Sequence, residues 1–363
     1  MVSVRLLDDV AIEDLAVGAT VLGTGGGGDP YLGKLMAINS IKQKGPVRLL
    51  SLKEIPDDAL LVPVAMMGSP TVLVEKLPKG DEALKSLSMI EAKVGKKVFA
   101  VASAEAGGVN STIPLAVAAQ LGLPVADADG MGRAFPEIQM TSYHLYGIRA
   151  SPFAMSDEKG NSVLLDTISN KWIEWISRAV TVVMGGSAII ALYPMTGREF
   201  KEACVPNTLT FAQKIGETIR LSKQNRQDPV ENLLKLVHGF KLFKGKIIDV
   251  SRRTTGGFAR GEAIIEGIDE SKGSKLKLNF QNENLIAIRD DKVVATVPDL
   301  ITLLECETGL PVTTEGLKYG YRVFVTGIPC NPVWRTPKGI ETVGPRYFGY
   351  DIDYRPVEEL INR

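Results

Sequence analysis

Gly25, Gly26, Gly27 and Gly28 follow one another without a break between two stretches of helical periodicity. Each would cost roughly 0.5–1 kcal/mol relative to alanine inside a helix or strand, so the run is a loop that something requires. Before it, residues 9–22 set Val10, Leu15, Val17, Val21 and Leu22 at helical spacing, with Asp8 or Asp9 as the cap. After it, Asp29-Pro30 starts a second helix, since Asp favours the N-cap and Pro the first helical position. Two readings of the run stand. It is a tight turn between helices, or it is bare backbone that lets a ligand approach amides at a helix start. No Gly-Lys-Ser/Thr follows, which excludes a phosphate-binding P-loop. A helix rather than a strand precedes it, so a dinucleotide fingerprint fits poorly.

Beyond residue 44 strands and helices alternate. Residues 47–51, 60–67, 97–103 and 123–128 read as strands, 80–94 and 111–121 as helices, the latter capped by Ser111. Residues 143–150 and 162–165 read as further strands. Such alternation predicts an α/β fold with a three-layer N-terminal domain, residues 1–166, around a mostly parallel sheet. Residues 167–363 open with helices at 170–184, 198–203, 208–223 and 228–236, with a short strand at 188–193. From residue 240 closely spaced strand-like runs follow, at 244–250, 262–268, 276–280, 284–289 and 292–297. This half is therefore expected to be an α+β domain with a β-rich barrel or sandwich module.

Charge and composition remove several function classes. Lys plus Arg number 42 and Asp plus Glu also 42, so no electrostatic argument favours nucleic acid or an anionic membrane as partner. The longest apolar runs, near residues 60–67 and 187–193, fall far short of the roughly 20 residues needed to cross a bilayer. The first ten residues include Asp8 and Asp9 and do not read as a signal peptide. Three widely spaced cysteines without a CxxC suggest a reducing, cytoplasmic setting. With only His144 and His238, histidine-based zinc sites and Ser-His-Asp triads have few ways to form.

Candidate chemistry gathers in loops that follow predicted strands, where open α/β sheets bind ligands. Glu105 lies just after one strand and is a candidate general base, with Asn110 as its hydrogen-bond partner; the alternative is a turn with an Asn or Ser cap. Asp127 and Asp129 follow the next strand, with Arg133 and Glu137 beyond. Two carboxylates one residue apart can divide acid and base roles or hold a divalent cation, and an adjacent arginine can clamp a substrate carboxylate. The bland reading is an Asp–Arg pair bracing a loop. Arg253 and Arg335 are candidate anion-binding arginines in polar loops, or solvated turns. Cys330 reads as a small buried hydrophobe before it reads as a nucleophile. The sequence requires no cofactor and specifies no metal.

The stretches LGTGGGGDPYLGK, DADGMGRAFPE and VWRTPKGIETVGPRYFGYD, spread over nearly the whole chain, resemble a bacterial and archaeal family named for S-methyl thiohydantoin desulfurase and often found near hydantoinase-type genes. The resemblance implies hydrolytic removal of a sulfur substituent from a hydantoin-like ring. It marks Gly25 to Asp29, Asp127, Asp129, Arg133 and Glu137 as site positions without fixing their roles. A small-molecule hydrolase is the first expectation. The alternative is a non-catalytic binding or accessory subunit beside a hydantoinase or oxoprolinase partner. Apolar content on the predicted helices points to a homo-oligomer.

Overall fold

In a computed structural model, which describes residues 5–68, 72 and 80–361, the first half is built on a nine-stranded sheet. Its strands are β1 (Arg5–Leu7), β2 (Val47–Leu50), β3 (Leu60–Gly68), β4 (Val98–Ser103) and β5 (Val125–Ala126), and from later in the chain β7 (Phe153–Ser156), β8 (Ser162–Leu165), β9 (Ser187–Ala191) and β10 (Met195–Thr196). The order is β1-β2-β5-β4-β3-β9-β7-β8, with β10 also on β3. Pairing is parallel through β2-β5-β4-β3 and antiparallel on both flanks. The α/β class holds, but the sheet is mixed rather than mostly parallel. The central strand β3 (LLVPVAMMG) is buried on both faces, as its unbroken apolar run requires. Residues 142–145 form a helical turn capped by Thr141 instead of the expected strand, while the expected strand at 162–165 is β8 and closes this edge of the sheet. The helix expected to be capped by Ser111 is Ile113–Leu121, with Thr112 at its N-cap.

Helices α1 (Asp9–Leu22) and α2 (Pro30–Lys44) flank the glycine loop. Asp8 caps α1 through the amide of Ala11, and Asp29 caps α2 through that of Tyr31, each at 2.8 Å. From the second half, α3 (Thr208–Gln224) crosses α1 at two glycines. A Cβ on Gly18 would lie 1.7 Å from the Ala212 carbonyl oxygen, and one on Gly216 would lie 1.9 Å from that of Asp14. Arg220 fixes the crossing with two hydrogen bonds to Asp14, at 2.8 and 2.7 Å.

The rest of the second half is an eight-stranded antiparallel sheet that runs from residue 240 to residue 328 and carries its own apolar core. It includes the long hairpin of β12 (Phe240–Thr255) and β13 (Phe258–Gly267), then β14 (Lys275–Gln281), β15 (Glu283–Arg289) and β17 (Leu300–Glu305). This sheet grips the glycine loop. Thr24 exchanges hydrogen bonds with Ile301 on β17, its hydroxyl donating at 2.9 Å and accepting at 2.8 Å. The amides of Asn284 and Thr314 donate to the carbonyls of Thr24 and Gly25, both at 2.8 Å. After the sheet, the fully buried Trp334 donates from Nε1 to the Met131 carbonyl at 2.7 Å and meets Phe135 edge-on.

Candidate active site

The glycine loop is packed backbone against backbone on a second glycine pair. A Cβ on Gly27, whose φ is +75°, would sit 2.4 Å from the Cα of Gly107. The Val109 amide donates to the Gly27 carbonyl at 2.8 Å. A Cβ on Gly26 would fall 2.0 Å from Oε1 of Glu283, at the start of β15. Gly27 and Gly28 also line a cavity of about 80 Å³ together with Glu105 and Glu283. The run is a turn that only glycine can make, and two of its members border the cavity.

Glu105 leaves the C-terminal end of β4 and is buried. Its Oε1 accepts from Asn110 Nδ2 at 2.6 Å and its Oε2 from the Phe135 amide at 3.2 Å. Asn110 is itself oriented, since its Oδ1 accepts from the Met66 amide at 2.8 Å. Burial pushes the Glu105 carboxyl up to about 7, against the pull of those two hydrogen bonds. Glu283 is equally buried, with Oε2 lacking any hydrogen-bond partner. Burial, then the facing charge of Glu105, hold its carboxyl well above the usual range. Glu137 borders the same cavity and accepts from the Tyr347 hydroxyl at 2.6 Å and from Gln139.

Arg133 is buried behind this pair. Its Nη1 donates to the carbonyls of Pro298 and Asp299 at 2.5 and 3.0 Å, and its Nη2 has no partner. Burial lowers its pKa to about 10, while Glu283 pulls the other way. The group therefore remains a cation, and it offsets part of the cost of any carboxylate charge in the cavity. Asp129 lies beneath, fully buried. Its Oδ1 accepts the amides of Met131 and Gly132 at 2.7 and 2.6 Å, Oδ2 is orphaned, and burial raises it to about 7.

Four expected site residues lie elsewhere, each for a visible reason. Asp127 points to α3, where it accepts from the amide and hydroxyl of Thr210 and caps that helix, so Asp127 and Asp129 do not act as a pair on the cavity. Asp29 is exposed and spends its carboxylate on capping α2. Arg253 is exposed within β12, opposite Arg260 on β13, and not in a loop. Arg335 is held by Asp299 at 2.9 Å and by both oxygens of Glu358 at 2.8 and 2.9 Å, which leaves no free charge for an anion. Cys330 is a buried thiol pushed up to about 12 by burial, in keeping with a packing role.

Sequence reasoning missed Glu283 and Arg178. The polar run Gln281-Asn282-Glu283-Asn284 does announce a tight hairpin turn, and Asn282 has φ +58°. Nothing local says that this turn meets a glycine loop more than 250 positions earlier. Arg178 sits on the inner face of a helix over residues 170–183 and borders the cavity, donating to Glu174 at 2.8 Å and to the Pro136 carbonyl at 2.9 Å. Among the described residues, no group of three or more His, Cys, Asp or Glu is placed to hold a metal ion, and no helix is long and apolar enough to cross a membrane.

Two buried carboxylates with raised proton affinities, in a site walled by backbone, are suited to giving and taking protons. Comparison with known proteins adds the following. Residues 10–167 match the S-Me-THD-like N-terminal domain and residues 168–357 the S-Me-THD-like C-terminal domain. An X-ray structure of a protein from Chromobacterium violaceum superposes with a TM-score of 0.82 over 97% of this chain and 100% of its own, at 24% identity, which speaks for the fold alone. No curated protein matches the chain.

Proposed function

The chain belongs to the S-Me-THD-like family, and on that premise we propose that it is a hydrolase of hydantoin-like rings that removes the sulfur substituent of an S-methyl thiohydantoin. The observation that carries the reading is the pair Glu105 and Glu283, brought from the two halves of the chain to one cavity under the glycine loop.

The pair divides the work by environment. Glu105, whose two oxygens each accept a hydrogen bond, is the base, and Glu283, whose Oε2 has no donor and whose carboxyl is raised by burial and the facing charge of Glu105, is the acid. Water adds to the ring carbon that bears sulfur and gives its proton to Glu105 as the carbon–oxygen bond forms. The electron pair of the C=N bond moves to ring nitrogen, which takes the proton of Glu283. The carbon–sulfur bond then breaks with its pair on sulfur, which takes the proton held by Glu105, while the hydroxyl proton returns to Glu283 and a carbonyl remains. Methanethiol leaves with one proton, so one water is consumed per thiol released. Arg178 borders the cavity but is spent on Glu174 and the Pro136 carbonyl, and Arg133 lies behind the pair, so neither is assigned to a substrate carboxylate.

A second reading, a binding or accessory subunit of a hydantoinase-type system, is favoured by the cavity's size. About 80 Å³ is well below the roughly 300–1,000 Å³ usual for small-molecule sites. One experiment separates the two. Purified protein is incubated with S-methyl thiohydantoin propionate, with and without divalent metal, and released thiol is assayed. Release that falls at least ~100-fold in both Glu105→Gln and Glu283→Gln supports the hydrolase. No release with any hydantoin-like ring, or release untouched by both substitutions, removes it.

A further inference from the structure

The helix over Asn170–Val183 carries two apolar faces, and among the described residues only one has a partner. The inner face, with Ile173 and Ser177, is buried against the sheet. The outer face presents Trp172, Trp175, Ile176, Val182 and Val183, the last 86% exposed, and Ile168 just ahead of the helix is 88% exposed. Two tryptophans in edge contact, ring centroids 5.0 Å apart, are half in water. Lys171, at one end, is the only exposed charged side chain between residues 170 and 183. Scattered apolar side chains on a surface need no explanation, but a contiguous stripe of some 20 Å does.

We propose that this stripe is the interface of a homodimer, in which the helix packs antiparallel on its copy across a two-fold axis near Ala179. Three features select a second copy. First, the exposed fractions, applied to side chains of roughly 150–250 Å², give on the order of 600 Å² per copy. A pair then buries about 1,200 Å², the lower bound for a stable specific interface. Second, the stripe is graded, with Trp172 and Trp175 at one end, Val182 and Val183 at the other. Antiparallel pairing sets large side chains of one copy against small ones of the other, as interdigitated packing requires. Third, Ala179 is exposed near the middle, where the backbones come closest and a large side chain would hold them apart. A membrane surface suits the stripe less, because interfacial helices carry a strongly basic polar face, and this one offers Lys171 and a half-buried Arg178 already engaged by Glu174.

The test is sedimentation equilibrium of the full chain over a concentration series. The expected result is twice the 39.2 kDa chain mass at micromolar concentration and above, with Val183→Glu and Trp172→Glu each reverting to the single mass while keeping the native circular dichroism. Being exposed, both positions accept the charge without loss of fold. Ala179→Cys is expected to form a disulfide between copies on mild oxidation. A monomeric wild type overturns the proposal, including one that instead co-sediments with anionic vesicles. So does a dimer that survives both charge substitutions and gives no Ala179→Cys cross-link.

Discussion

Replacing Glu105 by Gln should change how stability depends on pH more than it changes stability itself. The folded carboxyl titrates near 7, against 4.5 for an unhindered glutamate. A raised acid binds its proton more tightly when folded, so its contribution is fully present below pH 4.5 and is lost as pH climbs through 7. At 1.36 kcal/mol per pH unit, the wild type gives up roughly 2–3 kcal/mol between pH 5 and 8 on account of this one group. Glutamine cannot ionise and removes that loss. Its absolute effect is of the opposite sign. Asn110 is fixed as a donor by Met66, so the new amide must turn its carbonyl there and point its NH2 at the Phe135 amide. Two donors facing each other cost about 1–3 kcal/mol at every pH. The readout is therefore the double difference. In thermal melts of wild type and variant at pH 5 and 8, the gap should move in the variant's favour by about 3–4 °C, using about 2 cal/mol/K of unfolding entropy per residue. Asp129, raised in the same direction, is common to both proteins and cancels. Parallel melting curves, with an unchanged gap from pH 5 to pH 8, would refute the assignment of a buried, proton-retaining Glu105.

Other expectations follow from the same geometry. Thiol release should rise with pH through about 7 as Glu105 loses its proton; a profile flat from pH 5 to 9 contradicts a base at Glu105. Gly26→Ala drives its Cβ onto Oε1, Cδ and Cγ of the buried Glu283 and should depress turnover and cost about 1–3 kcal/mol. Gly27→Ala meets the Gly107 backbone at φ +75° and should cost at least ~2 kcal/mol, measurable in urea titrations. Asp127→Ala removes a cap of α3 and should lower stability by about 1 kcal/mol while retaining turnover; loss of turnover in folded protein would return Asp127 to the site.

How much of this was legible beforehand depended on the range of the signal. The Asp29-Pro30 start of α2, the buried run of β3 and the alternation in β14 are local patterns, and each appears where its pattern points. Glu105 and Asn110 were legible as a pair because five positions separate them at a strand's carboxyl end. Direction in the sheet was not, since parallel and antiparallel neighbours leave the same apolar runs, and β9 arrives from beyond residue 186. The carboxylates at 127 and 129 look alike in sequence. One faces a helix end and the other the buried loop 130–132, because the chain bends at Asp127, between Val125–Ala126 and Ala128–Asp129, and so breaks the two-residue repeat that would set both on one side of an extended strand. Glu283 and the sequestration of Arg335 depend on how distant segments dock, which no short-range pattern records.

The helix crossing at Gly18 and Gly216 has a consequence for how the protein comes into being. During synthesis, the face of α1 that receives α3 stays bare until residue 224 has emerged, and β3 lacks its β9 neighbour until residue 191 has. At ~5–20 residues per second, the carboxylate at 105 waits on the order of ten seconds or longer for the one at 283. The two carboxylates are thus brought together late, long after the first of them has emerged, and a ribosome-bound nascent chain halted before residue 283 would lack the second.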